Sequence, residues 1–173
     1  MDQRSRLGGR AGSIVLLVAA FVVLLRPWEA DRDPEGGPPS AAARVLRVVD
    51  GDTLEVRIGS KVEDVRLIGV DTPETVDPEE PVQCFGPRAS RFGKRLVGGR
   101  RVRLVFGAER RDAYGRLLAH AYIGHRWLNA MLLRRGLARV LSIPPNTRHR
   151  ALFERLELGA ARAGRGLWSA CPP

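Results

Sequence analysis

The chain has 173 residues, a formal net charge of +10, 44% hydrophobic residues and two cysteines. This length suffices for one domain with an appendage, and the composition excludes a wholly disordered chain, a polytopic membrane protein and a disulfide-rich mini-protein. Residues 44–85 hold five basic and ten acidic side chains, whereas residues 86–173 hold nineteen basic and four acidic ones. A basic segment of this kind is typical of proteins that bind polyanions, although a GC-rich genome also produces arginine-rich chains.

The first thirty residues indicate a segment that directs the chain to a membrane. An uncharged, mostly apolar run over residues 11–25 follows three arginines, and Trp28 comes shortly after it. This pattern is typical of a secretory signal or a membrane anchor, and the run is slightly shorter than the ~20 residues of a spanning helix. Because Trp28 stands where a cleavage site needs a small residue, we favour an uncleaved anchor over residues 1–30. Both alternatives, an anchored and a secreted protein, place the remainder outside the cytoplasm.

Residues 31–42 separate the apolar segment from the rest of the chain. They are rich in Pro and Gly, and this composition predicts a flexible linker. A single folded domain is therefore expected over residues 43–173. No oligomerisation motif is evident in it, so a monomer is the expectation.

Three antiparallel strands are predicted at the start of the domain, over residues 45–49, 53–58 and 62–68. Their β-branched residues partly alternate with polar ones, and Asp-Gly and Gly-Ser pairs supply the turns between them. If the second turn has two residues, counting back along both strands places Arg66 opposite Thr53.

The remaining elements complete the outline of a known architecture. A helix with a basic outer face is predicted over residues 86–97, and two strands follow over residues 101–106 and 117–123. A second helix is predicted over residues 127–135, and a third begins after Asn146 or Thr147. Five strands with a helix between the third and fourth predict an α+β fold, namely a five-stranded OB-type β-barrel with three helices.

Short acidic stretches at the strand ends are candidates for a metal-binding site. Asp52 lies at the first turn, and Asp71 follows the third strand, so these two can supply carboxylate oxygens to a hard cation. Pro73 favours extended backbone at Thr72, which leaves the Thr72 carbonyl free to turn toward a metal. The two aspartates can share one ion only if the sheet curls strongly. The alternative is structural, with an ordinary hairpin turn at the first stretch and a helix cap at the second.

Several motifs in a fixed order carry a family resemblance. They are Asp50-Gly51-Asp52-Thr53, Arg66-Leu67-Ile68-Gly69-Val70-Asp71-Thr72-Pro73-Glu74-Thr75, Gly86-Pro87-Arg88-Ala89-Ser90, Asp112-Ala113-Tyr114-Gly115-Arg116, Gly136-Leu137-Ala138 and Leu167-Trp168-Ser169. In this order and spacing the chain resembles the staphylococcal nuclease, or thermonuclease, family over residues 44–169.

The resemblance implies a hydrolase, a metal-dependent endonuclease that cuts DNA or RNA and leaves 3′-phosphate ends. It implies that Ca²⁺, rather than Mg²⁺ or Mn²⁺, is held by Asp52, Asp71 and the Thr72 carbonyl. It further implies roles for the remaining site residues, with Glu74 as the general base, Arg66 and Arg116 as phosphate ligands, and Tyr114 beside the nucleotide. Single strands are the expected substrate preference.

Two cysteines and two rival functions complete the expectations. In an exported protein Cys84 and Cys171 can form a disulfide, and the alternative is two separate thiols. The first rival to an enzyme is an OB-type module that binds single strands without cutting them. The second is an interaction domain whose basic face binds an acidic partner or lipid headgroups. The complete acidic set favours the enzyme over both.

Overall fold

Five strands close into a β-barrel in the computed structural model, which describes residues 39–75 and 82–171. The described strands are β1 (Ser40–Val48), β2 (Thr53–Ile58), β3 (Lys61–Leu67), β4 (Gly69–Asp71), β5 (Arg101–Arg111), β6 (Leu117–Ile123), β7 (Arg126–Trp127) and β8 (Arg139–Leu141). The described helices are α1 (Gly86–Val97), α2 (Leu128–Arg134), α3 (Arg150–Arg162) and α4 (Leu167–Ala170).

The barrel strands lie in the order β3-β2-β1-β5-β6, and each neighbouring pair is antiparallel. Parallel pairing of β3 with β6 closes the barrel. The α+β prediction of a five-stranded OB-type barrel is therefore confirmed. Helices α1 to α3 correspond to the three predicted ones, and the four-residue helix α4 is an addition.

The predicted membrane segment and most of the predicted linker lie outside the described residues. Strand β1 begins at Ser40 rather than at residue 45 as predicted, because Ser40 pairs with Val105 on β5. Along residues 39–75 and 82–171, no helix is long and apolar enough to cross a bilayer.

Helix α1 has an apolar face packed on the barrel and a basic face exposed to solvent. Its apolar residues pack inward, and the missing side chain of Gly93 lets Val48 of β1 come close. On the opposite face Arg88, Arg91 and Arg95 are exposed. The basic outer face agrees with the helical spacing read from the sequence.

A sharp corner after β3 positions the candidate site. Strands β2 and β3 form the predicted hairpin, with Arg66 opposite Thr53. The chain then turns at Gly69, whose φ of 78° lies in the left-handed region that favours glycine. Beyond this corner β4 pairs with β8 outside the barrel. The corner brings Asp71 back beside Arg66, whereas a straight β3 would carry it past the end of β2.

A buried asparagine fixes the same corner. The Asn129 side chain is fully buried, and its Oδ1 accepts a hydrogen bond from the Ala121 N–H on β6 at 3.1 Å. Its Nδ2 donates to the Ile68 carbonyl at 2.9 Å. Asn129 therefore ties α2 to the barrel and to the residue before Gly69, a role that its place in an apolar helical pattern does not indicate.

A disulfide joins Cys84 to Cys171, 87 residues apart. Of the two alternatives for the cysteines, the structure has the bonded pair. Because Cys84 lies just before α1 and Cys171 just after α4, the bond holds the start of the first helix against the end of the last.

Candidate active site

The guanidinium of Arg66 lies between two carboxylates. Its Nη1 is 2.9 Å from Asp52 Oδ2, and its Nη2 is 2.8 Å from Asp71 Oδ1. Nη1 also donates to the Val70 carbonyl at 2.7 Å. Charge-assisted contacts of this kind are short and strongly oriented, so the plane of the guanidinium is fixed. The predicted register places Arg66 beside Asp52, and the corner at Gly69 adds Asp71 to the same group.

Asp52 is a buried carboxylate with only 4% of its surface exposed. Its Oδ2 accepts hydrogen bonds from the Thr72 N–H at 2.6 Å and from Thr72 Oγ1 at 3.0 Å. Burial raises the pKa of Asp52 to about 7, although the nearby Arg66 lowers it in part. The raised pKa means that the ionised carboxylate gains from any further positive charge placed beside it.

Asp50 has a structural role in the preceding turn. Its Oδ1 accepts hydrogen bonds from the backbone N–H groups of Asp52 at 2.9 Å and Thr53 at 2.7 Å. These bonds hold the turn between β1 and β2 and thereby set the direction of the Asp52 side chain.

The donors around Arg66 fit a hard divalent cation. Asp52 and Asp71 provide carboxylate oxygens, which together with carbonyls and water are what Ca²⁺ binds in sites that need not be regular. Within the described ranges, no group of three or more His, Cys, Asp or Glu side chains forms a metal site. Asp52, Asp71 and the Thr72 carbonyl are the groups that could hold such an ion, with water and substrate oxygens completing the shell.

Glu74 lies on the loop that leads from β4 toward α1. Its backbone N–H donates to Gln83 Oε1 at 3.1 Å, and its carbonyl accepts from the Gln83 N–H at 2.9 Å. Its carboxylate Oε1 accepts from the Thr75 N–H at 2.7 Å. The Glu74 backbone is therefore fixed on both sides, which restricts the positions that its carboxylate can reach.

The loop between β5 and β6 carries a second arginine that an aspartate orients. Asp112 Oδ2 accepts from Arg116 Nε at 2.8 Å, and Asp112 Oδ1 accepts from the backbone N–H groups of Tyr114 and Arg116, both at 3.0 Å. Burial is the largest single influence and raises the pKa of Asp112, but the hydrogen bonds and charge of Arg116 and the hydrogen bond from the Tyr114 N–H together lower that pKa overall. The Tyr114 ring is 86% exposed, and the Arg116 guanidinium lies 5.3 Å from its centroid.

A groove of about 430 Å³ joins the two arginines, and we call it the catalytic groove. Residues of β3 and β4, of the loop between β5 and β6, and of the segment around the end of β8 line it, among them Arg66, Val70, Asp112, Tyr114, Arg116, Leu141, Ile143 and Asn146. Sequence reasoning named Asp112 only as part of a motif and did not predict that it orients Arg116. It missed the exposed apolar residues Leu141 and Ile143 altogether. The four-residue spacing of Asp112 and Arg116 is the signal that could have identified the pair.

The structure brings most of the expected site residues together. Asp52, Asp71 and Thr72 meet around Arg66, and Arg66 shares the catalytic groove with Tyr114 and Arg116. Glu74 follows the metal-binding candidates along the same loop but does not line that groove. Cys84 and Cys171 do not line that groove and lie just before α1 and just after α4.

Several known proteins are similar to this chain in sequence. The family of staphylococcal nuclease homologues matches residues 64–170. A thermonuclease from Staphylococcus intermedius is 44% identical over 160 residues, which cover 91% of this chain and 95% of the relative. A thermonuclease from Staphylococcus hyicus is 37% identical over 161 residues, covering 90% and 95%. Endonuclease YncB from Bacillus subtilis is 41% identical over 125 residues, covering 71% of this chain and 59% of YncB.

The matched region begins in β3 and ends with α4, so it contains Arg66, Asp71, Glu74 and Arg116. The two thermonucleases extend the similarity over nearly the whole length of both chains. The resemblance read from the motifs is confirmed. The chain belongs to the staphylococcal nuclease family, and it is an enzyme of the hydrolase class.

Proposed function

We propose that this protein is a calcium-dependent nuclease that hydrolyses phosphodiester bonds of DNA or RNA and leaves 3′-phosphate ends. The observation that carries the proposal is the position of Arg66 between Asp52 and Asp71, at the wall of a groove that Arg116 also lines. A module that only binds strands needs arginines for the phosphates. Such a module has no use for two carboxylates that neutralise one of those arginines. A metal-assisted hydrolase needs the carboxylates to hold the metal and the arginines to bind the phosphate.

In this proposal Asp52, Asp71 and the Thr72 carbonyl hold the Ca²⁺. When bound, the ion neutralises negative charge that develops on the phosphate oxygens during attack. The two hydrogen bonds from Thr72 fix the Asp52 carboxylate, whereas Asp71 is about half exposed and can adjust. Calcium tolerates such an irregular set better than Mg²⁺, which demands near-octahedral geometry, and this supports Ca²⁺ as the natural ion.

The two arginines bind the non-bridging oxygens of the scissile phosphate. Arg116 is held through Nε by Asp112, and its two terminal nitrogens form no other hydrogen bond within residues 39–75 and 82–171. They are therefore available to a phosphate in the catalytic groove. A planar guanidinium can bind two phosphate oxygens at once, which a lysine cannot do.

Glu74 supplies the proton acceptor for the attacking water. As the water oxygen bonds to phosphorus, its proton passes to the Glu74 carboxylate. The bond from phosphorus to the 5′-oxygen breaks, and the leaving oxygen takes a proton from solvent, which gives a 3′-phosphate and a 5′-hydroxyl. The paired backbone hydrogen bonds to Gln83 support this role because they anchor the residue from which the carboxylate projects.

The substrate and location follow from features outside the metal site. Tyr114 and Ile143 present exposed apolar surface in the catalytic groove, and unpaired bases can stack on an exposed aromatic ring, so we propose a preference for single strands. The Cys84–Cys171 disulfide supports an oxidising compartment. We therefore propose an extracytoplasmic monomer, held at the membrane by residues 1–30 or secreted after their removal.

Cleavage of a labelled single-stranded DNA by the full chain tests this proposal. The assay compares Ca²⁺ with chelator, and the wild type with Glu74→Gln and with Glu154→Gln, an exposed glutamate on α3. We expect the wild type to cut only with Ca²⁺, Glu74→Gln to lose most of this activity, and Glu154→Gln to keep it. The products should carry 3′-phosphates that a 3′-phosphatase removes. A wild type that binds the strand but never cuts it with Ca²⁺, Mg²⁺ or Mn²⁺ would identify a binding module instead.

A further inference from the structure

A second groove, of about 560 Å³, is lined by arginines and shares no residue with the catalytic groove. Three of its arginines lie on the outer face of α1, one follows α2, and one precedes α4. We call it the arginine groove, and its lining is Arg88, Arg91, Arg95, Arg135 and Arg165 around Phe85, Phe92, Leu137 and Gly166. Exposure to solvent is enough to explain the three arginines on α1. It does not explain why Arg135 and Arg165, from other parts of the chain, line the same groove.

Three of these arginines are held in place. The Arg88 guanidinium lies 4.8 Å from the centroid of the Phe85 ring, and Arg135 lies 4.8 Å from that of Phe92. Arg165 Nη1 donates to the Arg134 carbonyl at 3.2 Å. Because these contacts already restrict the arginine side chains, an anion that binds to them pays a smaller cost in side-chain entropy.

The arginine groove concentrates five positive charges around one concavity. Within residues 39–75 and 82–171, none of the five arginines forms an ion pair with a carboxylate, whereas Arg66, Arg111 and Arg116 all do. Five unpaired guanidiniums around one concavity repel one another. They therefore favour an anion with several charges as the occupant.

The arginine groove begins beside the Glu74 loop. Phe85 lines it, and at the next residue, Gly86, an added Cβ would lie 2.8 Å from the Pro73 carbonyl oxygen and 2.9 Å from that of Glu74. The start of α1 is thus in direct contact with the loop that carries the general base proposed above. The disulfide to Cys171 holds this end of α1 in place.

We propose that the arginine groove binds the phosphodiester backbone of the substrate strand beyond the bond that is cut. This inference rests on the proposed nuclease function and extends it from one scissile phosphate to a longer strand. A run of phosphates matches several convergent guanidiniums, each of which can bind two oxygens. A lipid surface fits less well, because Phe92 is only 9% exposed and Leu137 only 8%, so the groove offers little apolar area for insertion.

Binding in chelator tests the arginine groove without requiring cleavage. The Kd of a long single-stranded oligonucleotide is measured by fluorescence anisotropy for the full-length wild type, for Arg91→Gln/Arg95→Gln and for a control, Arg57→Gln/Arg126→Gln. Arg57 and Arg126 are exposed strand residues outside both grooves, and the two double variants lose the same charge. We expect about tenfold weaker binding for the groove variant, and a salt dependence of log K that is shallower by about 1.4, since each phosphate contact on a single strand contributes about 0.7.

The length of the substrate provides a second measurement. In Ca²⁺, the groove variant is expected to lose more kcat/KM on the long strand than on a dinucleotide, mainly through KM, while the control keeps the wild-type ratio. Equal effects of the two double variants, or none, would overturn the proposal. So would groove-dependent binding to anionic lipid vesicles with unchanged oligonucleotide binding. If neither the wild type nor either double variant cuts the strand, but the groove variant still binds the oligonucleotide more weakly than the control, the nuclease proposal fails and the arginine groove remains a strand-binding site.

Discussion

Gly51 and Thr72 approach each other so closely that no side chain fits between them. A Cβ at position 51 would lie 2.6 Å from Thr72 Cγ2 and 2.7 Å from Thr72 Oγ1. Thr72 in turn holds the buried Asp52 carboxylate through its backbone and hydroxyl. The glycine of the first acidic motif therefore does more than form a turn, because it lets the two proposed metal-binding segments pack together.

Gly51→Ala is expected to displace Thr72 and weaken the metal site. Overpacking of this kind costs about 1–3 kcal/mol of folding free energy, and the shift of Thr72 would also raise the Kd for Ca²⁺. Gly159→Ala is the matched control, since a Cβ there meets nothing within 4 Å and alanine favours a helix interior. Chemical unfolding and calcium titration measure both effects. A Gly51→Ala protein as stable as the wild type, with unchanged calcium affinity, would contradict the steric argument.

Arg66→Lys tests whether the shape of the guanidinium matters as well as its charge. Arg66 contacts Asp52 and Asp71 through different nitrogens and also donates to the Val70 carbonyl. An ammonium cannot span these acceptors, and a hydrogen bond to a charged group contributes about 1.5–3 kcal/mol. We therefore expect kcat/KM to fall by about tenfold to a hundredfold, whereas Arg57→Lys leaves it unchanged. Retention of full activity would show that a point charge suffices at this position.

The predictable part of this structure is the part that local patterns encode. β-branched strands and a two-residue turn determine the hairpin register, and that register alone places Arg66 beside Asp52. The pairing of β4 with β8 involves only three residues on each side, which is too few for a pattern to identify. Asn129 lies in an apolar helix, and only the folded chain brings Ile68 and Ala121 to its amide.

The arginine groove illustrates the same limit. The spacing of Arg88, Arg91 and Arg95 predicts one exposed face of α1, and the structure has that face. Arg135 and Arg165 reach it from the end of α2 and the start of α4, and no periodicity links residues so far apart in the chain. Convergence of this kind depends on tertiary packing.

Asp112 is proposed to be a positioning residue that acts through Arg116. Asp112→Ala would free the Arg116 side chain and remove the acceptor for two backbone N–H groups, so we expect about a tenfold loss of kcat/KM. Asp112→Asn keeps one acceptor oxygen and should retain part of the activity. A double-mutant cycle decides the role: once Arg116→Ala is present, adding Asp112→Ala should cost little more. Additive losses would indicate that Asp112 acts independently of Arg116.

The disulfide is expected to stabilise the domain strongly. It closes a loop with a sequence separation of 87 residues, for which loop entropy predicts about 4–5 kcal/mol of stability before any strain is subtracted. Cys84→Ser/Cys171→Ser should lower the urea midpoint by a corresponding amount, and a reducing agent should affect the wild type but not the variant. Equal stability of wild type and variant under oxidising conditions would show that the bond contributes nothing to folding.

His120 is expected to make the fold sensitive to mild acid. It lies buried among aromatic rings that include Trp127 and Phe153, and burial, helped by the nearby His149 and Arg148, lowers its pKa from 6.5 to about 3. Below pH 6.5 His120 is therefore protonated in the unfolded chain but stays neutral in the folded chain. The stability that neutral, buried His120 contributes to the fold is complete above pH 6.5 and is lost as the pH falls toward 3. The slope in that window is about 1.4 kcal/mol per pH unit. Urea unfolding at pH 7 and pH 4 should show a smaller difference for His120→Gln than for wild type or the exposed-site control His125→Gln, and equal differences would refute this assignment.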